Sequence, residues 1–398
     1  MKRVLVNSYW YYPENTARAF QVRGIVNALL KDGYKVELII PYSELYKDLS
    51  ELETEKLTIH QVKPGFILHR SKNRWDINRN ILNEQRNNFL NKLLKKAYDY
   101  LVWPDRTIEW AINAYRYIKK RKLYNNCEAI ITVGLPVSTH IIGHLLKKKY
   151  PSINWIADYG DPFSYNPDRL IRKHDSFFET KILNNVDSIV IPTSNAIECY
   201  TNLGVNKSKI KVIPQLFEEE IRESNYEIDS DKFNIMYAGS FYKGIRSPVE
   251  FIRALKLSYE KNEKIFFHYF GNVTALEEFL KVEGIDVEEL PIRINGFKDR
   301  SEIIGIMKKM DALINLNNES TSQIPSKIID YLYTEKLILN IGSKLNDTFE
   351  NVDNQKEKIA NKLVEISLSG VVFDYSELKK VYSYEYNSKR YVDLVNNK

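Results

Sequence analysis

Apolar and polar positions alternate in blocks along this chain of 398 residues. Residues 4–6 are apolar, residues 19–30 carry apolar side chains at helical spacing up to Gly33, and residues 36–40 are apolar again. An apolar run, an amphipathic helix and a second apolar run predict a βαβ unit. The same alternation over residues 129–157 and 188–213 predicts a parallel α/β sheet.

An acidic stretch at residues 217–232 interrupts this pattern and is interpreted as a linker. Beyond it, helices alternate with strands predicted at 234–238, 265–270, 292–295, 312–316 and 337–341. The chain is therefore predicted to form two Rossmann-like domains, 1–216 and 217–382. Because ligands of such sheets bind beyond the carboxyl ends of the strands, we expect one cleft formed by Gly239, Gly271, Gly296 and the loop at 317–325.

Composition agrees with a globular protein of two domains, since 398 residues exceed the size of one usual core. Apolar residues make up 43% and charged residues 28% of the chain. The two cysteines, Cys127 and Cys199, fit neither a metal motif nor a disulfide framework, which favours a reducing compartment. No signal peptide or membrane-spanning run is recognised, so we expect a cytoplasmic protein.

The net charge of +6 is concentrated in a basic patch, residues 63–122, which contains fifteen Lys/Arg and five Asp/Glu. Aromatic residues are interleaved with these cations, a combination typical of proteins that bind anionic membranes or nucleic acid. No nucleic-acid motif accompanies the patch, so a peripheral site at the inner face of the cell membrane is preferred. Residues 83–98 then predict an interfacial helix; a core-packed helix with a solvated basic face remains the alternative.

The segment Thr321-Ser322-Gln323-Ile324-Pro325-Ser326-Lys327 follows a predicted strand and opens a helix. A helix N-terminus attracts anions, and Lys327 would add a full charge there. Asp330 lies three residues further on and could accept both hydroxyls of a ribose. A capped helix with a solvated lysine and a surface carboxylate is the structural alternative.

Gly239 ends a predicted strand and would let the backbone approach a phosphate closely. Arg246 follows in the next loop, where its guanidinium could bind the same group; a solvated loop arginine is the alternative. The pair Asp229 and Asp231 has the spacing of some metal sites but lies in the acidic stretch, and His140 and His144 lack a third ligand. No metal site is predicted.

These features combine with further motifs across the chain. They are Tyr12-Pro13-Glu14 with Arg18, Trp103-Pro104-Asp105 with Trp110, Gly134-Leu135-Pro136-Val137-Ser138-Thr139-His140, and Asp158-Tyr159-Gly160-Asp161-Pro162-Phe163. The chain resembles a GT-B glycosyltransferase, and most of all family 4 of the retaining glycosyltransferases. This resemblance implies two Rossmann-like domains with an interdomain cleft, and a last helix at about 383–398 that crosses back onto the first domain.

The resemblance also implies roles for individual residues. Arg246, Lys327 and His140 would act on the reacting groups, with the two cations on the diphosphate and His140 facing the donor sugar. The donor would further contact Gly239, Ser240, Gly296, Phe297, Ser322, Ile324, Pro325, Ser326 and Asp330, with Asp330 on the ribose and Gly296-Phe297 on the nucleobase. Arg18 and Asp161 would lie on the acceptor side. Two departures are Ser240, where an arginine is frequent, and Ser322, where the family has glutamate.

The implied activity is that of a retaining, hexosyltransferase-type glycosyltransferase. It would use a UDP- or GDP-sugar as substrate, with no cofactor or metal, and a glycan or lipid-linked acceptor in cell-surface polysaccharide assembly. Retention needs no strong base if the leaving phosphate takes the acceptor proton, which fits the absence of a nucleophile–base pair. The alternatives are a GT-B nucleotide-sugar epimerase and a non-catalytic sugar-nucleotide-binding scaffold. No nucleic-acid partner is expected.

Overall fold

The computed structural model describes residues 2–46, 49, 53–65, 102–166, 171–241, 246–317 and 327–396. The chain divides into two compact units, one formed by residues 1–217 with 384–398 and the other by residues 218–383. The boundary between the two units lies after Phe217.

A parallel sheet of seven strands forms the centre of the first unit, in the order β3-β2-β1-β4-β5-β6-β7 within the described residues. The strands are β1 Arg3–Ser8, β2 Lys35–Pro41, β3 Leu57–Val62, β4 Cys127–Val133, β5 Asn154–Asp158, β6 Ser188–Ile191 and β7 Ile210–Val212. The helices between them are α1 Ala17–Lys31, α2 Ile108–Arg121, α3 Ser138–Lys149, α4 Asp175–Leu183 and α5 Ile197–Asn202.

Both faces of this sheet are buried, which explains why its central strands are continuous apolar runs. In β1, Val4 and Val6 join one core cluster, whereas Leu5 joins the cluster on the opposite face. Side chains of a strand alternate between faces, so one apolar run supplies both cores.

The second unit repeats this plan with six strands in the order β10-β9-β8-β11-β12-β13. They are β8 Phe233–Ala238, β9 Ile265–Phe270, β10 Ile292–Asn295, β11 Ala312–Leu316, β12 Leu337–Ile341 and β13 Glu350–Val352. The helices are α6 Val249–Lys261, α7 Val273–Val282, α8 Arg300–Met307, α9 Lys327–Thr334, α10 Lys356–Leu368 and α11 Ser376–Tyr382.

The last helix, α12 (Tyr384–Asn396), belongs to the first unit and packs mainly against α1. The Tyr391 hydroxyl donates to Asp158 Oδ2 at 3.2 Å, and Asn154 Nδ2 donates to the Leu394 carbonyl at 2.9 Å. Tyr391 is fully buried, so α12 completes the core of the first unit.

The acidic stretch is packed along the second unit, in contrast to its interpretation as a linker. The backbone N–H of Arg222 donates to the Ser301 carbonyl at 3.1 Å, and a side chain at Gly305 would collide with the Arg222 carbonyl. The Tyr226 hydroxyl lies 2.9 Å from Nδ1 of His268 on β9. Its acidic side chains lie mostly at the surface, so the backbone and Tyr226 hold the segment in place.

Among the described residues, no helix has the length and apolar character needed to cross a bilayer.

Candidate functional site

The second unit has its topological switch point between β8 and β11. The strands that follow β8, namely β9 and β10, lie on one side of this pair, and the strands that follow β11, namely β12 and β13, lie on the other. A crevice forms at the carboxyl ends of the strands at such a point. Gly239 follows β8 there, and its φ of +143° disfavours any residue with a side chain. A side chain at Gly271, after β9, would collide with the Gly239 carbonyl, so the two loops approach each other closely.

Tyr237, near the end of β8, holds two of the predicted cations. The Nζ atom of Lys327 lies 3.8 Å from the centre of the Tyr237 ring, and Nη1 of Arg246 donates to the Tyr237 hydroxyl at 3.3 Å. That hydroxyl donates in turn to the Ser240 carbonyl at 3.3 Å. The ring of Tyr237 is itself fixed by stacking on Phe241, with centroids 4.8 Å apart. The structure therefore brings Arg246, Lys327, Gly239 and Ser240 together around one aromatic side chain.

Lys327 differs from the solvated lysine of the structural alternative. Its Nζ atom is buried and has no hydrogen-bond partner among the described residues. Burial, and secondly the positive charge of Arg246, hold the pKa of Lys327 well below its usual range. Face-on contact with an aromatic ring compensates only part of the lost hydration of an ammonium group. An anion placed beside Lys327 and Arg246 would supply the missing partner.

Asp330, one turn along α9, forms an ion pair with Arg300 that the sequence did not predict. Nε and Nη2 of Arg300 donate to Oδ1 of Asp330 at 3.0 and 2.6 Å, and Nη1 donates to the Glu218 carbonyl at 2.8 Å. Burial raises the pKa of the Asp330 carboxyl, while Arg300 opposes that change. The described residues make no hydrogen bond to Oδ2, which leaves that oxygen for a further donor.

The remaining predicted donor contacts are spread over two loops. Gly296 and Phe297 follow β10 at the surface, where 67% of Phe297 is exposed. The residues of the turn before α9, namely Ser322, Ile324, Pro325 and Ser326, lie outside the described residues.

In the first unit, His140 lies on the first turn of α3 and is fully buried. Thr132 Oγ1 accepts a hydrogen bond from Trp155 Nε1 at 2.9 Å and lies 2.9 Å from His140 Nδ1. Burial, together with the charge of Arg18, lowers the pKa of His140 to about 3, so the ring is neutral. The Thr132 hydroxyl and Nδ1 of His140 therefore form a hydrogen bond, and Nε2 of His140 has no hydrogen-bond partner among the described residues.

A cavity of about 110 Å³ lies beside His140. Asp161 contributes to its wall, as do Tyr159, stacked on His140 with centroids 4.1 Å apart, and apolar side chains of the turn before α3. Asp105 also lines it and caps α3, because Oδ2 accepts from the Ser138 N–H at 2.9 Å.

Arg18 is buried beneath this region in an ion pair with Asp158. Its Nε donates to the Gly134 carbonyl at 3.1 Å, and Nη2 donates to Oδ1 of Asp158. Gln21 and Tyr391 donate to Oδ2 of the same carboxylate. Arg18 thus fixes the strand ends that precede the cavity. Its assignment to the acceptor side stays a prediction.

Asp229 and Asp231 form a surface turn before β8, in which Asp229 Oδ1 accepts from the Asp231 N–H at 3.0 Å. In the part of the chain that the structure describes, no three His, Cys, Asp or Glu side chains come together as a metal site would need.

Part of the basic patch is inside the first unit. Trp110 of α2 is fully buried, and Trp103 Nε1 donates to Asp175 Oδ1 at 2.9 Å. Trp110 therefore packs within the protein and is not available to a membrane, whereas Trp103 is half-buried. The predicted interfacial helix at 83–98 lies outside the described residues.

No protein-family model matches the chain, and no curated protein sequence matches it. Solved structures match over its full length. HepE from Anabaena in complex with UDP and glucose has a TM-score of 0.59 and 9% identity, covering 100% of this chain and 98% of that one. A glycosyltransferase from Rickettsia africae has a TM-score of 0.57 and 13% identity, covering 100% and 94%. A putative UDP-N-acetylglucosamine 2-epimerase from Listeria monocytogenes has a TM-score of 0.61 and 11% identity, covering 100% and 96%.

These likenesses establish the fold, which is α/β with the two Rossmann-like domains of GT-B proteins.

Proposed function

We propose that this protein is a glycosyltransferase that takes a sugar from a nucleoside diphosphate donor and transfers it to a glycan or lipid-linked acceptor. The observation that carries this proposal is the buried Nζ of Lys327, without a hydrogen-bond partner among the described residues and close to a second cation, Arg246. Both lie at the switch point of the sheet, where α/β proteins bind nucleotides. A diphosphate carries the negative charge that would pair with Lys327, beside Arg246.

The two cations would act most strongly on the leaving group. Negative charge builds up on the diphosphate as the bond to the sugar breaks, and cationic groups fixed beforehand stabilise it without reorganisation. Tyr237 supplies that fixation, since it contacts both cations. Asp330 would accept a ribose hydroxyl through Oδ2, with Arg300 holding its other oxygen. The reaction needs no metal in this scheme.

The nucleotide is best taken as a uridine diphosphate, because HepE, which has a similar structure, forms a complex with UDP and glucose. His140 of the first unit would face the sugar, as the resemblance implies. A retaining course, in which the departing phosphate takes the acceptor proton, agrees with a histidine that stays neutral. The narrower likeness to family 4 of the retaining glycosyltransferases is part of this proposal.

An epimerase is the second candidate, because a putative UDP-N-acetylglucosamine 2-epimerase has a similar fold. The two activities differ in their need for an acceptor. An epimerase converts the nucleotide sugar alone, whereas a transferase releases UDP in proportion to acceptor glycosylated. Product analysis of UDP-sugars incubated with and without acceptor glycans therefore separates them.

Binding of UDP and UMP, measured by calorimetry on the full chain, tests the site itself. UMP, which lacks the second phosphate, should bind at least ten-fold more weakly than UDP, because a charge-assisted contact contributes about 1.5–3 kcal/mol. Replacement of Arg246 by alanine should remove most of this difference. Arg253→Ala, at an exposed arginine of α6 in the same unit, is the matched control and should preserve it.

Equal affinity for UDP and UMP in the unmodified protein would place the diphosphate elsewhere and refute the site. Tight binding of UDP-sugars without turnover on any acceptor would favour the non-catalytic scaffold.

A further inference from the structure

The surface of α4 in the first unit carries a large apolar side chain. Phe177 is 74% exposed, and Ile171, in the stretch that leads into the helix, is 48% exposed. Lys181 lies four residues after Phe177 on the same face of the helix, and Lys173 lies in the turn that opens it; both lysines are exposed. Residues 171–184, the α4 segment, therefore combine an exposed aromatic ring with cations.

The acidic side chains of the α4 segment face the interior. Asp175 is fully buried and accepts hydrogen bonds from Trp103 Nε1 at 2.9 Å and from the Arg172 N–H at 2.8 Å. Glu179 is also fully buried and accepts from the backbone N–H groups of residues 163 and 164 at 2.9 and 2.8 Å. Every exposed charged side chain of the α4 segment is therefore basic, which gives its surface a positive charge.

The α4 segment begins near the cavity of the first unit. A helix between two parallel strands runs back along the sheet, so α4 starts at the carboxyl edge, where Asp161 and Phe163 line the cavity. Phe178 packs against Phe163 with ring centroids 5.9 Å apart, and against Trp103 with centroids 4.4 Å apart. A partner bound to the exposed face of α4 is consequently held close to the cavity wall.

We propose that the α4 segment docks the first unit on an anionic lipid surface. Phe177 enters the boundary between headgroups and acyl chains, and Lys173 and Lys181 contact the lipid phosphates. One aromatic side chain offers at most about 250 Å², well below the roughly 800 Å² per partner of a stable protein interface. A membrane needs less, because apolar insertion and the attraction of each lysine add together. The assignment rests on the proposed function only in that it brings the cavity to a lipid-linked acceptor.

Sedimentation of the full chain with vesicles at low salt tests the docking. Vesicles of phosphatidylglycerol and phosphatidylcholine in equal parts should bind it, and vesicles of phosphatidylcholine alone should not. Phe177→Ser should weaken binding roughly ten-fold, because the apolar ring no longer leaves water. Joint replacement of Lys173 and Lys181 by glutamine should also weaken it roughly ten-fold. Leu368→Ser, at a 73% exposed leucine of the second unit, is the matched control and should bind as the unmodified protein does.

Phe177→Trp reports insertion directly. Tryptophan keeps an aromatic ring at the interface, so vesicle binding should persist. Vesicles with brominated acyl chains quench indole fluorescence on contact, and they should quench this variant more strongly than the unmodified protein. Leu368→Trp adds an indole to the second unit and should show no such excess.

Binding that Phe177→Ser leaves unchanged overturns the proposal, as does equal binding to both kinds of vesicle or the absence of excess quenching in Phe177→Trp. An acidic protein as the true partner of this face would give the absence of vesicle binding. Calorimetry with UDP separates the docking from the proposed function. Lost docking with normal UDP affinity leaves the donor site intact, whereas retained docking without UDP binding refutes the donor site alone.

Discussion

Replacement of Lys327 by methionine should affect stability and ligand binding in opposite directions. Methionine keeps a flexible side chain that can contact the face of the Tyr237 ring, but it removes the charge. A buried polar atom without a hydrogen bond costs about 1–3 kcal/mol, and the contact with the ring offsets part of that. The free energy of unfolding without ligand should therefore stay unchanged or rise by about 1 kcal/mol.

Binding of UDP should become much weaker in the same variant. A charge-assisted hydrogen bond from Lys327 to the diphosphate contributes about 1.5–3 kcal/mol, which corresponds to a roughly ten- to hundred-fold increase in Kd. Gain of stability with loss of binding is the behaviour of a side chain retained for its ligand. If Lys327 had a structural role instead, its replacement would lower both the stability and the UDP affinity.

Urea denaturation measures the first quantity and calorimetry with UDP the second. Lys308→Met, at the exposed lysine that follows α8 as its C-cap, controls for the loss of one charge in the same unit. Unchanged UDP affinity in Lys327→Met, or a loss of several kcal/mol of stability, would refute the assignment of Lys327 to the diphosphate.

Four further outcomes are expected. Turnover should survive excess EDTA; loss that magnesium or manganese restores would contradict a diphosphate held by side chains alone. UDP should be bound with proton uptake, because an anion raises the lowered pKa of Lys327; the uptake is seen as a dependence of the binding heat on the buffer. The affinity for UDP should then fall as the pH rises towards the ordinary lysine pKa of about 10.4. Lys327→Met should bind UDP without proton uptake. Asp330→Asn should weaken the binding of uridine and of UDP by the same factor, since the ribose contact is common to both ligands. A loss of affinity for UDP alone would contradict the assignment of Asp330 to the ribose. Sedimentation with anionic vesicles should be salt-sensitive, absent with neutral vesicles and abolished by joint neutralisation of Lys92, Lys95 and Lys96.

Strands buried on both faces were the most predictable part of the fold. β9, β11 and β12 have the bounds that their apolar runs predict. β3 was not predicted, because it is an edge strand whose interior residues are half-buried and include polar ones. Its His60 is held by a hydrogen bond to Glu37 at 2.8 Å, a contact between strands that periodicity does not reveal.

In the candidate site, the cations were predictable but their partners were not. Arg246 and Lys327 were recognised from their places after strand ends. Tyr237 lies inside an apolar run and is indistinguishable in sequence from an ordinary core residue. Arg300 lies thirty residues before Asp330, so their ion pair depends on how α8 and α9 pack. Packing between distant elements is what a single sequence leaves undetermined.

Helix α12 also determines the order in which the two units can complete their folding during synthesis on the ribosome. The first unit cannot complete its core until residues 384–396 have been translated, although most of that unit is synthesised first. Until then the Asp158 carboxylate lacks the Tyr391 hydroxyl, and the α1 face that receives α12 is open. The second unit is one continuous stretch and can fold while the first still waits. A frameshift late in the coding sequence would therefore damage the part of the fold that is encoded at its start.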